Sequence, residues 1–205
     1  MGTIVNERIV DYINSLDKGN SPVCNAIEKE ALADGVPIIR KEMGNLLKLK
    51  QPGSILEVGT AVGYSSILMS ENMPQNCRIT TIENYEKRIP VAKNNFKRAG
   101  KEEVITLLEG DAMDILKELD GTYDFIFMDA AKGQYINFLP ELLRLMPAGG
   151  LLISDNVLQE GDIVESRYGV TRRNRTIHTR MREYIYTLTH AEQLETSIVP
   201  ICDGI

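Results

Sequence analysis

Between Ile55 and Ser154 five short apolar runs alternate with segments of helical periodicity, a pattern that few folds accommodate. Ile55, Leu56 and Val58 open the series, and Arg78 to Ile82, Val104 to Leu108, Phe125 to Met128 and Leu151 to Ser154 continue it. Helices are predicted from Tyr64, over Glu86 to Ala99, over Ala112 to Leu119 and over Gln134 to Leu145. Strands separated by helices pair in parallel, because each crossover returns the chain to the same edge before the next strand begins. The predicted class is α/β, a Rossmann-like single domain with helices on both faces of a mostly parallel sheet. Gly100, Asp120-Gly121 and Pro147-Ala148-Gly149-Gly150 fall where that scheme needs helix ends and turns.

Outside this core, helical spacing marks Ile4 to Leu16, Val23 to Leu32 and Lys41 to Leu49, so a helical cap over 1–50 is expected on an α/β core over 51–205. Beyond Gly161 a helix is predicted over Thr176 to Leu188 and a strand near Ser197 to Ile201. A net charge of −6 argues against a generally basic nucleic-acid or membrane-surface protein. Cys24, Cys77 and Cys202 are scattered without metal-ligand spacing, which implies neither disulfides nor zinc and makes a reducing cytoplasm the expected setting. No apolar run approaches the roughly 18 residues of a membrane span.

In an open parallel sheet, ligands bind beyond the carboxyl ends of the strands, and in this chain those ends are acidic. The first strand runs into the turn of ILEVGTAVGYS, whose G-x-x-x-G spacing differs from the dinucleotide G-x-G-x-x-G and suits a ligand without phosphates. Glu57 lies inside that apolar strand, where its carboxylate needs hydrogen bonds or a cationic ligand. Glu83 follows the second strand, at the place where such folds accept hydrogen bonds from a ribose diol. Asp111-Ala112 follows the third, beside the attached base in that reading, although Asp111 could equally be a helix N-cap. The implied ligand is a nucleoside.

Asp129, Asp155 and Asn156 end the fourth and fifth strands and would together offer an oxygen-only face to magnesium or calcium. Such a cation lowers the pKa of a bound hydroxyl. Asp155-Asn156 also reads as a turn-forming pair. Lys132 could take a proton or pair with an anion, or could be an ordinary solvated lysine.

The set ILEVGTAVGYS, TIENYEKR, EGDAMD, FIFMDAAKGQY and LLISDNVLQEG resembles the class I S-adenosylmethionine-dependent O-methyltransferases of the catechol and caffeoyl-CoA type. Within that family it is most similar to the bacterial tRNA 5-hydroxyuridine methyltransferases, which make 5-methoxyuridine at the wobble position. The resemblance implies a seven-stranded sheet and a homodimer. It implies S-adenosylmethionine on Ile39, Glu57, Gly59, Ser65, Glu83, Asp111, Ala112 and Asp129. It further implies Mg²⁺ on Asp129, Asp155 and Asn156, with Lys132 at the position of the family's proposed base and Asp129 beside it. The resembled proteins continue past the Asp-Gly motif into a closing strand, whereas this chain stops at Ile205, so a shortened last strand is expected.

The acceptor reading rests on RYGVTRRNRTIHTRMR, Arg167 to Arg182, which holds six arginines and no acid. A solvated helix face would explain them. An anionic substrate such as an RNA backbone would also suit a one-sign cluster, with Arg172, Arg173 and Arg175 as the candidate contacts. A tRNA hydroxyuridine O-methyltransferase is therefore the favoured reading. The alternatives are an enzyme for a small hydroxylated aromatic, in which the basic stretch is lid or dimer surface, and a non-catalytic nucleoside- or RNA-binding module.

Overall fold

The computed structural model describes residues 19–39, 42–200 and 203–205, with isolated positions at 6, 8, 9, 12, 15 and 16; for 42–45 only the backbone is described. The helix predicted over Ile4 to Leu16 lies largely outside the described residues, as does Ile201. The chain divides into two compact units, Gly19–Met128 with Glu141–Leu152, and Met1–Lys18 with Asp129–Pro140 and Ile153–Ile205.

The larger unit holds the sheet. Its elements are α1 (Pro22–Ala33), α2 (Glu42–Lys50), β1 (Ser54–Val58), α3 (Tyr64–Asn72), β2 (Arg78–Glu83), α4 (Ile89–Ala99), β3 (Ile105–Glu109), α5 (Ala112–Glu118) and β4 (Phe125–Met128), with the later part of α6 (Tyr135–Leu145) and the start of β5 (Leu151–Ser154). The strand order is β3-β2-β1-β4-β5. β1 pairs in parallel with β2 and β4, and β2 with β3. α3 packs against α1, α2 and α4, and α5 lies against β2. Every residue of β4 is buried, and so are Ile55, Leu56, Glu57 and Val58 of β1, as central strands covered on both faces require. Asp124 fixes the start of β1: its carboxylate accepts from the Gly53 N–H at 2.9 Å and the Ser54 N–H at 3.0 Å. Ser21 caps α1 by accepting from the Cys24 N–H at 3.1 Å, with Pro22 as the first helical residue.

In the smaller unit a 3₁₀ turn over Lys132–Gln134 leads into the first part of α6, and a second 3₁₀ segment, Gln159–Val164, precedes α7 (Arg175–His190). α7 buries His178, Met181 and Tyr184, three residues apart and so on one face. Tyr184 meets Tyr135 edge to face, with ring centroids 5.5 Å apart, and its hydroxyl lies 2.6 Å from Ser154 Oγ.

Among the described residues the sheet has five strands, not the seven that the resemblance implied. Residues 197–200 form no strand, and Val199 exchanges two hydrogen bonds with Ile205, at 2.8 and 3.0 Å. Pro200 lacks the N–H that a ladder needs. The chain also doubles back at Asp203-Gly204, whose carbonyls accept from Leu158 and Val157 at 2.8 and 3.0 Å.

Candidate active site

The turn after β1 is built on a buried carboxylate. Glu57 is fully inaccessible and accepts hydrogen bonds from the hydroxyls of Ser65, Ser66 and Thr81, the last at 2.5 Å. Thr81 Oγ1 also lies 2.6 Å from Thr60 Oγ1. One acid thus ties β1, the first turn of α3 and β2 together, which is how a charge survives in an apolar strand. Gly63 opens α3 at φ 82°, and a Cβ there would lie 2.6 Å from Phe96 Cε1, so both conformation and space demand glycine.

Glu83, nearly buried at the end of β2, accepts from the Ala61 N–H at 2.7 Å through Oε2 and from Tyr85 at 2.9 Å through Oε1. Gly59 and Thr60 both donate to the Ile82 carbonyl at 3.1 Å, and Gly110 donates to that of Glu83 at 2.9 Å. These bonds hold the ends of β1, β2 and β3 side by side, bringing Gly59, Glu83 and the Asp111 segment along one sheet edge. Asp111 is the N-cap of α5: Oδ1 accepts from the Met113 N–H at 2.8 Å, and Ala112 is the first helical residue. Ile39 is buried in the segment between α1 and α2. Sequence reasoning missed Thr81, Ser66 and Ala61, although the Ser65-Ser66 pair after the glycine turn was a visible source of hydroxyl donors.

In the smaller unit, Asp129, Lys132, Asp155 and Asn156 converge. Lys132 Nζ lies 2.9 Å from Asp129 Oδ1, 2.8 Å from Asn156 Oδ1, 3.2 Å from the Asp155 carbonyl and 3.1 Å from Tyr135 Oη. The Tyr135 hydroxyl in turn donates to the Asp155 carbonyl at 3.1 Å. Asn156 adopts φ 56°, a left-handed conformation that asparagine tolerates, and its N–H donates to Asp155 Oδ1 at 2.8 Å. Burial, reinforced by the Asp129 charge, pushes the Asp155 carboxyl up to about 6. Burial and the same two acids hold the Tyr135 phenol well above its ordinary range. Tyr135 was not singled out beforehand, although its place three residues after Lys132 puts both on one helical face.

The side-chain oxygens of Asp129, Asp155 and Asn156 are hard donors with two formal negative charges, and those of Asp129 and Asn156, with the Asp155 backbone carbonyl, already hold a cation, the Lys132 ammonium. That donor chemistry fits a divalent cation such as Mg²⁺. Among the described residues no cluster of three or more His, Cys, Asp and Glu side chains forms a metal site. Of the six arginines, Arg167, Arg172, Arg173 and Arg182 are exposed. Arg180 donates to the Gly133 carbonyl at 2.9 Å and Arg182 to that of Glu165 at 3.1 Å, while Arg175 donates to the Val170 carbonyl and lies over the Tyr168 ring. No helix among the described residues is long and apolar enough to cross a membrane.

A parallel α/β sheet with acidic residues at the carboxyl ends of its strands is the fold of the class I methyltransferases. A family model described as O-methyltransferase matches residues 39–205, and the chain belongs to that family. It is 33% identical over 175 residues to a catechol O-methyltransferase of Niastella koreensis, covering 80% of this chain and 79% of that one. It is likewise 33% identical over 174 residues to caffeoyl-CoA O-methyltransferase 2 of Populus trichocarpa, covering 78% and 68%. Among solved structures, a candidate caffeoyl-CoA O-methyltransferase of Staphylococcus aureus superposes with a TM-score of 0.85 at 30% identity, over 97% of this chain and 95% of that one. A Bacillus cereus O-methyltransferase in complex with SAH shares the fold at a TM-score of 0.82 and 22% identity, over 94% and 90%.

Proposed function

We propose that this protein transfers the methyl group of S-adenosylmethionine to a hydroxyl of a small catechol-type aromatic. The observation that carries the reading is the oxygen cluster of Asp129, Asp155 and Asn156 around one cation, in a chain a third identical to a catechol O-methyltransferase. The SAH complex of the B. cereus protein supports the choice of cofactor.

S-adenosylmethionine, when bound, supplies an electrophilic methyl group on a positively charged sulfur. Glu83 would accept from its ribose hydroxyls, since each carboxylate oxygen has lone-pair capacity beyond its present backbone partners. Asp111 Oδ2 and the Ala112 backbone would serve the base, with Gly59 and Ser65 shaping the turn and Ile39 completing the set in this unit. Mg²⁺ on Asp129, Asp155 and Asn156 would supply Lewis acidity toward the acceptor hydroxyl. Lys132 Nζ, once its ammonium has given one proton to solvent, would receive the acceptor proton, while Tyr135 holds the Asp155 carbonyl and the lysine in register. Positioning of this kind accounts for much of the rate of group transfer.

The test is mass spectrometry of catechol, caffeoyl-CoA and related diphenols after incubation with the protein, S-adenosylmethionine and Mg²⁺. One added methyl on oxygen is expected, and no methylated product from any diphenol would sink the proposal. The exposed Arg167, Arg172 and Arg173 favour a second reading, methylation of 5-hydroxyuridine in tRNA. It is tested by nucleoside analysis of hydroxyuridine-containing tRNA under the same conditions. A homodimer belongs to the same proposal and is checked by sedimentation.

A further inference from the structure

Lys132 makes more contacts than a base in waiting would need. Its Nζ has three protons and four oxygen neighbours between 2.8 and 3.2 Å, and two of those, Asp129 Oδ1 and Asn156 Oδ1, are side-chain oxygens of residues suited to hold a divalent cation. One oxygen atom seldom serves an ammonium and a dication in the same direction, since the two positive charges would stand within a few ångströms of each other. The side chain is itself partly exposed, so Nζ has a route outward along its flexible stem.

We infer that the Lys132 ammonium is the resident cation of this oxygen cluster and that a divalent ion binds by displacing it, releasing Nζ from Asp129 and Asn156. Metal loading and exposure of the lysine amine are then one event. Without metal, Lys132 neutralises the acids and holds the loops after β4 and β5 together. With metal, the freed amine is available to the acceptor. The inference rests on the cation site of the proposed function but on none of its acceptor chemistry.

Two measurements test it, neither involving turnover. Mn²⁺ serves as the probe, followed by calorimetry and by the loss of its free-ion paramagnetic resonance signal. Lys132→Met, which removes the competing charge at similar length, should bind Mn²⁺ about ten- to a hundredfold more tightly than the parent, the scale of one unit charge removed at about 4 Å in a partly solvated site. Tyr135→Phe, which keeps the ammonium, should stay within about threefold of the parent, since it removes one hydrogen bond and no charge. In the parent protein, reductive methylation of Lys132, read by peptide mass spectrometry, should rise on Mn²⁺ loading while other lysines stay constant. A folded Lys132→Met that binds Mn²⁺ no better than the parent, or not at all, overturns the exchange. If that variant does not fold, the labelling decides, and Lys132 reactivity that is unchanged or lower with Mn²⁺ overturns it. A protein that passes here yet methylates no diphenol has the cation exchange without the proposed acceptor, so the two failures are distinguishable.

Discussion

At Glu57 three hydroxyls converge on a carboxylate that water does not reach. Glu57→Ala leaves Ser65, Ser66 and Thr81 without their acceptor as well as opening a void, and a loss of about 3 kcal/mol or more is expected in denaturant unfolding. Glu83 differs, because it is held by backbone donors at the sheet edge and keeps capacity for a ligand. Glu83→Ala should weaken S-adenosylmethionine binding by about 1.5 to 3 kcal/mol in calorimetric titration. Unchanged affinity would make it a loop anchor only. Asp155 supplies a pH test. Its folded pKa of about 6 lies above the ordinary carboxylate value of 3.8, so the fold favours the neutral acid. That contribution is complete below about pH 4 and is lost as pH rises through 6. Metal-free Asp155→Asn should therefore exceed the parent in stability at pH 8 by up to about 2 to 3 kcal/mol and lose the advantage by pH 4, as read from unfolding at the two pH values.

Among the elements, α3 depends most on one residue. Gly63 begins it in the left-handed region with the Phe96 ring against its α-carbon, so Gly63→Ala combines backbone strain with overpacking. A loss of about 2 to 4 kcal/mol is expected by thermal unfolding; a loss under about 0.5 kcal/mol would mean that Phe96 moves aside freely. The glycine turn was visible in the sequence because glycine punctuates strand ends, but the reason for glycine at 63 was not, since Phe96 is 33 residues away. α7 runs from Arg175 to His190, close to the span its periodicity predicted, yet three of the arginines that flank or enter it are spent on carbonyls of its own unit. Charge counting along a sequence cannot separate a guanidinium tied to a backbone oxygen from an exposed one. Only Arg172 and Arg173 of the three RNA candidates are exposed.

For the whole molecule, the acceptor decides between two readings, and those two arginines discriminate them. If the acceptor is a small diphenol, Arg172→Ala/Arg173→Ala should leave catechol turnover within about twofold of the parent, as for surface changes away from the site. If it is tRNA, the same variant should raise KM for tRNA and lower the log–log salt slope by about 0.7 to 0.9 per lost phosphate contact. The sequence alone determined the α/β class, the strand runs and the acids at their carboxyl ends, because period, glycine punctuation and burial of short apolar runs are local signals that survive without coordinates. It also showed Asp129, Lys132, Asp155 and Asn156 as candidates. Only the tertiary structure decided the number of strands, since pairing of residues 197–200 depends on a partner edge that the local pattern does not contain. Likewise, only folding brings the Lys132 ammonium among the oxygens of Asp129 and Asn156 and sets Tyr135 behind it. Those contacts join residues up to 24 positions apart, and their geometry depends on side-chain packing that no spacing rule records.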